Sequence, residues 1–213
     1  MNYIRVPEAI YAASFAVIRA EAGLDRFSVG NAHVAERMIH ACGMVDLADD
    51  LLFSDGAAEA GRAALLNGAP VICDAEMVRH GIIKRSLPSA NRIICMIGDE
   101  AVAAHAKVID NTRSAAQVDL WGADVEGAII AIGNAPTALY RLLENFDKGA
   151  PKPALILGLP VGFVGAAESK AELAANSRGV PFVTVRGRRG GSAMAAAAVN
   201  ALAIGWQEAE RAT

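Results

Sequence analysis

The chain has 213 residues, 54% of them hydrophobic and 20% charged, with a formal net charge of −3. That length is one large domain's worth of chain with ample material for a core, so a single domain over residues 1–213 is expected. The slight acidity leaves no general basic field and argues against nucleic acid as the main partner.

In chain order, the first fifty residues read as helices. Pro7 opens an apolar-periodic stretch through Ile10, Phe15, Val17 and Ile18 that ends near Gly23. A second helix is expected over 31–42, stopped by Gly43, and a third over 57–66. From Pro70 onward, short apolar runs bounded by turn residues take over, at 71–73, 92–97, 128–132, 154–157 and 182–185. They are continuous rather than alternating, as strands buried on both faces must be. Helical patterns over 74–81, 99–109, 111–121, 136–146, 166–176 and 192–204 separate them. Five strands, each followed by a helix, predict an α/β fold in which helices sandwich a mainly parallel sheet, behind a helical N-terminal segment.

Cys42, Cys73 and Cys95 stand far apart and form no CxxC pair, so they read as reduced thiols of a cytoplasmic protein. The first fifteen residues carry charges where a signal peptide needs an unbroken apolar core. The Ala-rich run 193–206 falls short of the roughly 20 residues that span a bilayer. Neither secretion nor a membrane is expected.

The second helix carries the most informative residue, His40. At about 100° per residue, Arg37 and His40 lie roughly 60° apart and share a face, with His33 and Met44 near the same stripe. A fixed cation beside a titratable imidazole suits acid–base work on an anionic ligand. A satisfied structural histidine is the plainer alternative.

Open parallel sheets bind ligands beyond the carboxyl ends of their strands. Three glycine-bearing loops fall there: 133–137, 158–165 and 186–192. Glycines allow close backbone approach, and helix N-termini offer free N–H groups. Arg186, Arg188 and Arg189 add guanidinium groups, with Lys84-Arg85 and Arg113 as further cations. The pattern favours a small polyanion, against the alternative of ordinary turns with solvated arginines.

Other constellations fail. Gly158, Gly162 and Gly165 have the wrong spacing for a dinucleotide fingerprint, and no Walker A sequence occurs. Cys42 lies two residues from His40 on the helix and points away from it. His33, Glu36 and His40 do not make a zinc-binding pattern, and no metal is expected. His80 and His105 read as surface or capping groups. Asp74 and Glu76 could touch a ligand, but Asp74 could equally cap the helix that follows it.

With those residues in view, the whole chain resembles the precorrin-8X methylmutase family. The matching segments are Ala9-Ile10-Tyr11 with Ser14-Phe15, the run Arg37 to Gly43, and Cys73-Asp74-Ala75-Glu76-Met77. Gly133 to Leu139, Leu159 to Lys170 and Gly190-Gly191-Ser192-Ala193 complete them. One departure is visible: where the family often has a Ser-x-x-Glu cap, Ser28 is followed three residues on by Asn31. The resemblance implies a Rossmann-like three-layer α/β/α sandwich, a homodimer and no cofactor. It implies an isomerase of cobalamin biosynthesis that moves a methyl group from C-11 to C-12 of a polycarboxylate tetrapyrrole, precorrin-8X, giving hydrogenobyrinate. It places the catalytic histidine at His40 and substrate-binding groups at Ser14 and Arg37. Arg113 and Asn134 are plausible additions. The cobalt-containing substrate of the anaerobic route and a non-catalytic corrinoid-binding protein remain the alternatives.

Overall fold

Three helices open the chain in the computed structural model: α1 (Pro7–Glu21), α2 (Val29–Cys42) and the short α3 (Leu47–Asp50). A strand, β1 (Leu51–Phe53), follows them, then α4 (Ala57–Leu66), β2 (Val71–Cys73) and α5 (Glu76–Gly81). Next come β3 (Ile93–Ile94), α6 (Glu100–Val108), α7 (Arg113–Leu120), β4 (Ile129–Ile132) and α8 (Pro136–Asp147). The chain ends with β5 (Leu155–Gly158), α9 (Ala166–Ala175), β6 (Phe182–Val185) and α10 (Ser192–Ile204). The structure describes residue 1 and residues 3–206, so residue 2 and residues 207–213 of the expected 1–213 domain lie outside the described residues.

The sheet has six strands in the order β1-β6-β5-β4-β2-β3. The five expected strands are all present and parallel. The sixth corrects the expected count: β1 runs antiparallel along β6, with Leu51 opposite Val185 and Phe53 opposite Val183. Its three residues follow two aspartates and include no β-branched side chain, so nothing local marks them as strand. The open edge of β6 makes them one. The run 92–97 contributes only the two residues of β3.

Along the central strands, side chains alternate between two cores. Val71, Cys73, Ile129, Ala131, Leu155 and Leu157 face α2, α4, α5 and α10. Ile72, Ile130, Ile132 and Ile156 face α7, α8 and α9. Burial on both faces explains the continuous apolar runs and makes the fold a three-layer α/β/α sandwich. Among the described residues, no helix is long and apolar enough to cross a membrane.

Ser28 caps α2 by accepting from the Asn31 N–H at 3.4 Å, which starts the helix at Val29, ahead of the expected 31. Gly30 packs by the Trp206 ring and His33 by the Ala201 carbonyl, while Cys42 lies within reach of the Arg189 charge. Helices α2 and α10 are therefore antiparallel. Since α10 begins just after β6, the end of α2 that carries His40 lies at the carboxyl edge of the parallel strands.

Candidate active site

Helix α1 packs antiparallel on the outer side of α2. Tyr11, Ser14 and Phe15, spaced i, i+3 and i+4, share one face of α1. Ser14 Oγ lies 3.0 Å from His40 Nδ1. The imidazole stacks on Phe15, with centroids 4.8 Å apart and planes 20° apart, and meets the Tyr11 ring edge-on at 5.6 Å. The Arg37 guanidinium lies over the same two rings, 4.9 Å from Phe15 and 5.2 Å from Tyr11. Three residues singled out in the sequence, Ser14, Arg37 and His40, thus meet on an aromatic shelf. Tyr11 and Phe15 build that shelf. The sequence offered Tyr11 only as part of a matching segment and Phe15 as a member of the apolar stripe as well, although their helical spacing with Ser14 was a usable signal.

The imidazole is exposed at its rim, and among the described residues Nε2 has no protein partner. Nδ1 is engaged: either it accepts from the Ser14 hydroxyl or its N–H donates to it, according to the tautomer. A ring held at Nδ1 and open at Nε2 can deliver and recover a proton at Nε2. Arg37 is half-buried, and its Nε has no partner. Burial pushes its pKa down, though a guanidinium remains cationic. His33 does not join this group. It is buried beneath α1, with burial lowering its pKa and Nε2 left without a partner.

Arg113 and Asn134 are exposed at the carboxyl edge, where a 2.8 Å contact between the Thr112 and Thr137 hydroxyls joins the starts of α7 and α8. Among the described residues, no hydrogen bond links either one to Ser14 or His40.

The glycine loops divide. The strand order reverses at β2, so the usual ligand crevice lies between β2 and β4. A carboxylate of the protein fills it. Asp74, fully buried, accepts from the Gly133, Asn134 and Ala135 N–H groups at 2.9, 3.0 and 2.7 Å. Burial pushes its pKa up and these three donors pull it back. Asp74 is therefore neither a ligand contact nor the cap of its own helix, and the 133–137 loop has no free N–H cradle. Helices α9 and α10, like α8, start without a side-chain cap. Among the described residues, no carboxylate is bound across the loops that lead into α9 and α10, which leaves their first-turn N–H groups open.

The arginines also divide. Arg189 is consumed by Asp46, at 2.8 Å, and by Asp50. Arg186 and Arg188 are exposed, the latter over the Phe163 ring at 5.4 Å. Lys84 and Arg85 lie away from this edge, on a connection pinned by Asn200 far along α10. Cys42 turns from His40 and donates to the Ile39 carbonyl. Burial pushes the Cys73 thiol up, and the Cys95 thiol up to about 11, so both are inert at neutral pH.

A doubly covered, mainly parallel sheet with a histidine held at its carboxyl edge defines an α/β enzyme. The family profile described as precorrin-8X methylmutase matches residues 9–204. A precorrin-8X methylmutase of Pseudomonas aeruginosa is 62% identical over 203 residues, covering 95% of this chain and 98% of its own. A cobalt-precorrin-8 methylmutase of Priestia megaterium is 39% identical, covering 93% of this chain and 88% of its own. The crystal structure of a precorrin-8X methylmutase from Thermus thermophilus superposes with a TM-score of 0.84 at 36% identity, covering 94% of this chain and 98% of its own. The chain belongs to the precorrin-8X methylmutase family, isomerases of cobalamin biosynthesis.

Proposed function

We propose that this enzyme moves the C-11 methyl group of precorrin-8X to C-12, yielding hydrogenobyrinate, with His40 as general acid and base. The observation that carries the reading is the imidazole held by Ser14 at Nδ1 and open at Nε2, above an aromatic shelf and beside Arg37. Protonated at Nε2, His40 gives its proton to the conjugated macrocycle. The methyl–C-11 bond then breaks as the methyl–C-12 bond forms, in a 1,5 shift within one molecule. The proton returns to Nε2, so atoms and charge balance. Arg37 binds a peripheral carboxylate, and Ser14 keeps the ring in register. Arg113 and Asn134 reach further carboxylates along the same edge.

Two supporting points refine the proposal. Identity is higher to the relative named for precorrin-8X, at 62%, than to the one named for cobalt-precorrin-8, at 39%, which favours the metal-free substrate. A homodimer is supported by the apolar outer surface of α1 and the segment before it, where Ile4, Val6, Ile10 and Val17 are each about half exposed. The match over 9–204 supports reading the chain as one domain.

An absorbance time course with metal-free precorrin-8X tests the reaction. Growth of the hydrogenobyrinate spectrum supports it. A bound spectrum without conversion overturns it, and the cobalt-loaded substrate then separates the anaerobic reaction from a binding protein.

A further inference from the structure

Lys170, on α9, is only 1% exposed and heads the large side chains that the fold buries completely. Burial of an ammonium group is costly unless a specific partner receives it. The partner here is a main-chain carbonyl: Nζ donates to Arg189 O. Arg189 sits in the loop between β6 and α10, and that loop is tied on every side. The Gly191 N–H donates to Leu159 O at 2.8 Å and the Gly162 N–H to Arg188 O at 3.3 Å. At Gly190, where φ is +155°, a Cβ would come within 2.4 Å of Leu159 O, so the two loop backbones touch. The Arg189 guanidinium meanwhile holds Asp46 and Asp50, in the segment that follows α2 and His40.

We propose that Lys170 is a positioning residue for the reaction. By holding the Arg189 carbonyl, it fixes the β6–α10 loop against the β5–α9 loop and against the Asp46–Asp50 segment. It thereby sets the cationic edge that receives the substrate's carboxylates beside His40. This inference rests on the proposed function and adds to it the residue that orders the anion-binding loop.

The chemistry of the pocket agrees. An apolar side chain of similar length would fill the volume equally well but would leave the Arg189 carbonyl without its donor. The charged group that faces the ammonium is Asp50 from α3, while Arg189 meets it through its carbonyl and turns its guanidinium to the same Asp50 and to Asp46. Burial pushes the Lys170 pKa down to about 8, with Asp50 pulling it back. Below that pH the donor is charged and its hydrogen bond stronger.

The test compares wild type, Lys170→Met and Lys170→Arg by three readouts. These are kcat and KM with precorrin-8X, Kd for hydrogenobyrinate, and amide hydrogen exchange at residues 186–191. Lys170→Met is expected to raise KM and Kd about tenfold with kcat within about threefold, the loss of one charge-assisted hydrogen bond. Exchange at 186–191 quickens, and Lys170→Arg recovers most of both. In wild type KM climbs more steeply above pH about 8 than it does in Lys170→Met. If Lys170→Met only lowers the folded fraction, with KM and loop exchange unchanged in what remains folded, the lysine is core filling and the proposal falls. If wild type neither binds nor converts the tetrapyrroles, the proposed function fails, and loop exchange in Lys170→Met still decides whether the lysine holds the loop. Should Lys170→Met not fold, Lys170→Gln, which shortens the side chain and removes the charge, is read in its place: a raised KM with quickened exchange at 186–191 supports the proposal, and unchanged values of both overturn it.

Discussion

Ser14 Oγ and His40 Nδ1 stand 3.0 Å apart across 26 residues of sequence, and this one contact selects which ring nitrogen faces outward. With Nδ1 engaged, Nε2 is the nitrogen left for the proposed proton transfer. Replacing His40 by alanine should lower kcat by about 10²–10⁴ while the Kd for hydrogenobyrinate changes little, the usual worth of a positioned acid–base group. Steady-state kinetics and a spectroscopic titration check the two halves separately. Normal turnover by His40→Ala would remove the acid–base role.

Ser14→Ala removes the anchor and leaves the imidazole in place on Phe15. One neutral hydrogen bond has a net worth of about 0.5–1.5 kcal/mol, so kcat should fall by about two- to tenfold. A change confined to KM would mean that the hydroxyl binds substrate instead of orienting the ring.

Arg37→Met keeps much of the packing over Tyr11 and Phe15 but deletes the charge. KM should rise about tenfold or more with kcat largely kept, because a charged hydrogen bond to a carboxylate contributes about 1.5–3 kcal/mol. Raising the ionic strength should weaken wild-type binding more than it weakens the variant's.

Asp74→Ala strands two buried N–H groups, those of Gly133 and Ala135, and the part-buried one of Asn134. Leaving buried donors unsatisfied costs about 1–3 kcal/mol each, so urea unfolding should show a loss of at least about 2 kcal/mol. Unchanged stability would mean that water replaces the carboxylate without cost.

A second carboxylate, that of Asp119, is expected to make the fold less stable in acid. Asp119 is 15% exposed and accepts from Arg141 at 2.7 Å and from Asn145 and His105 at 2.8 Å. Burial alone would raise its pKa, but these donors outweigh burial and hold it well below the usual carboxylate range. The stability it contributes is complete above its unfolded pKa of about 4 and is lost as pH falls from there toward the depressed folded value. Asp119→Asn should cost roughly 2 kcal/mol at pH 7 and flatten the decline below pH about 4 in urea titrations. An acid limb as steep as wild type's would assign it to other carboxylates.

The five parallel strands were legible because a strand buried on both faces is apolar at every position, whatever its neighbours. The shared face of Arg37 and His40 was legible because helical periodicity is local. The site's other half was not. That Ser14 belongs to the site was implied by resemblance alone, as a substrate-binding group, and its contact with His40 was not foreseen, since their meeting depends on how α1 folds back on α2.

Long-range pairing decided the rest. Nothing near β1 marks Leu51–Phe53 as a strand, and only the open edge of β6 recruits it. Asp74 finds its three donors about 60 residues away, and Arg189 finds its carboxylates about 140 residues away. Composition placed cations and glycines at the carboxyl edge. Tertiary structure decided which of them were already spent on the fold. The sequence by itself determined the layers and the helix that carries Arg37 and His40, because those follow from short-range pattern. Which groups stay free for a ligand was decided only by folding, because a buried polar group must be matched wherever in the chain its partner lies.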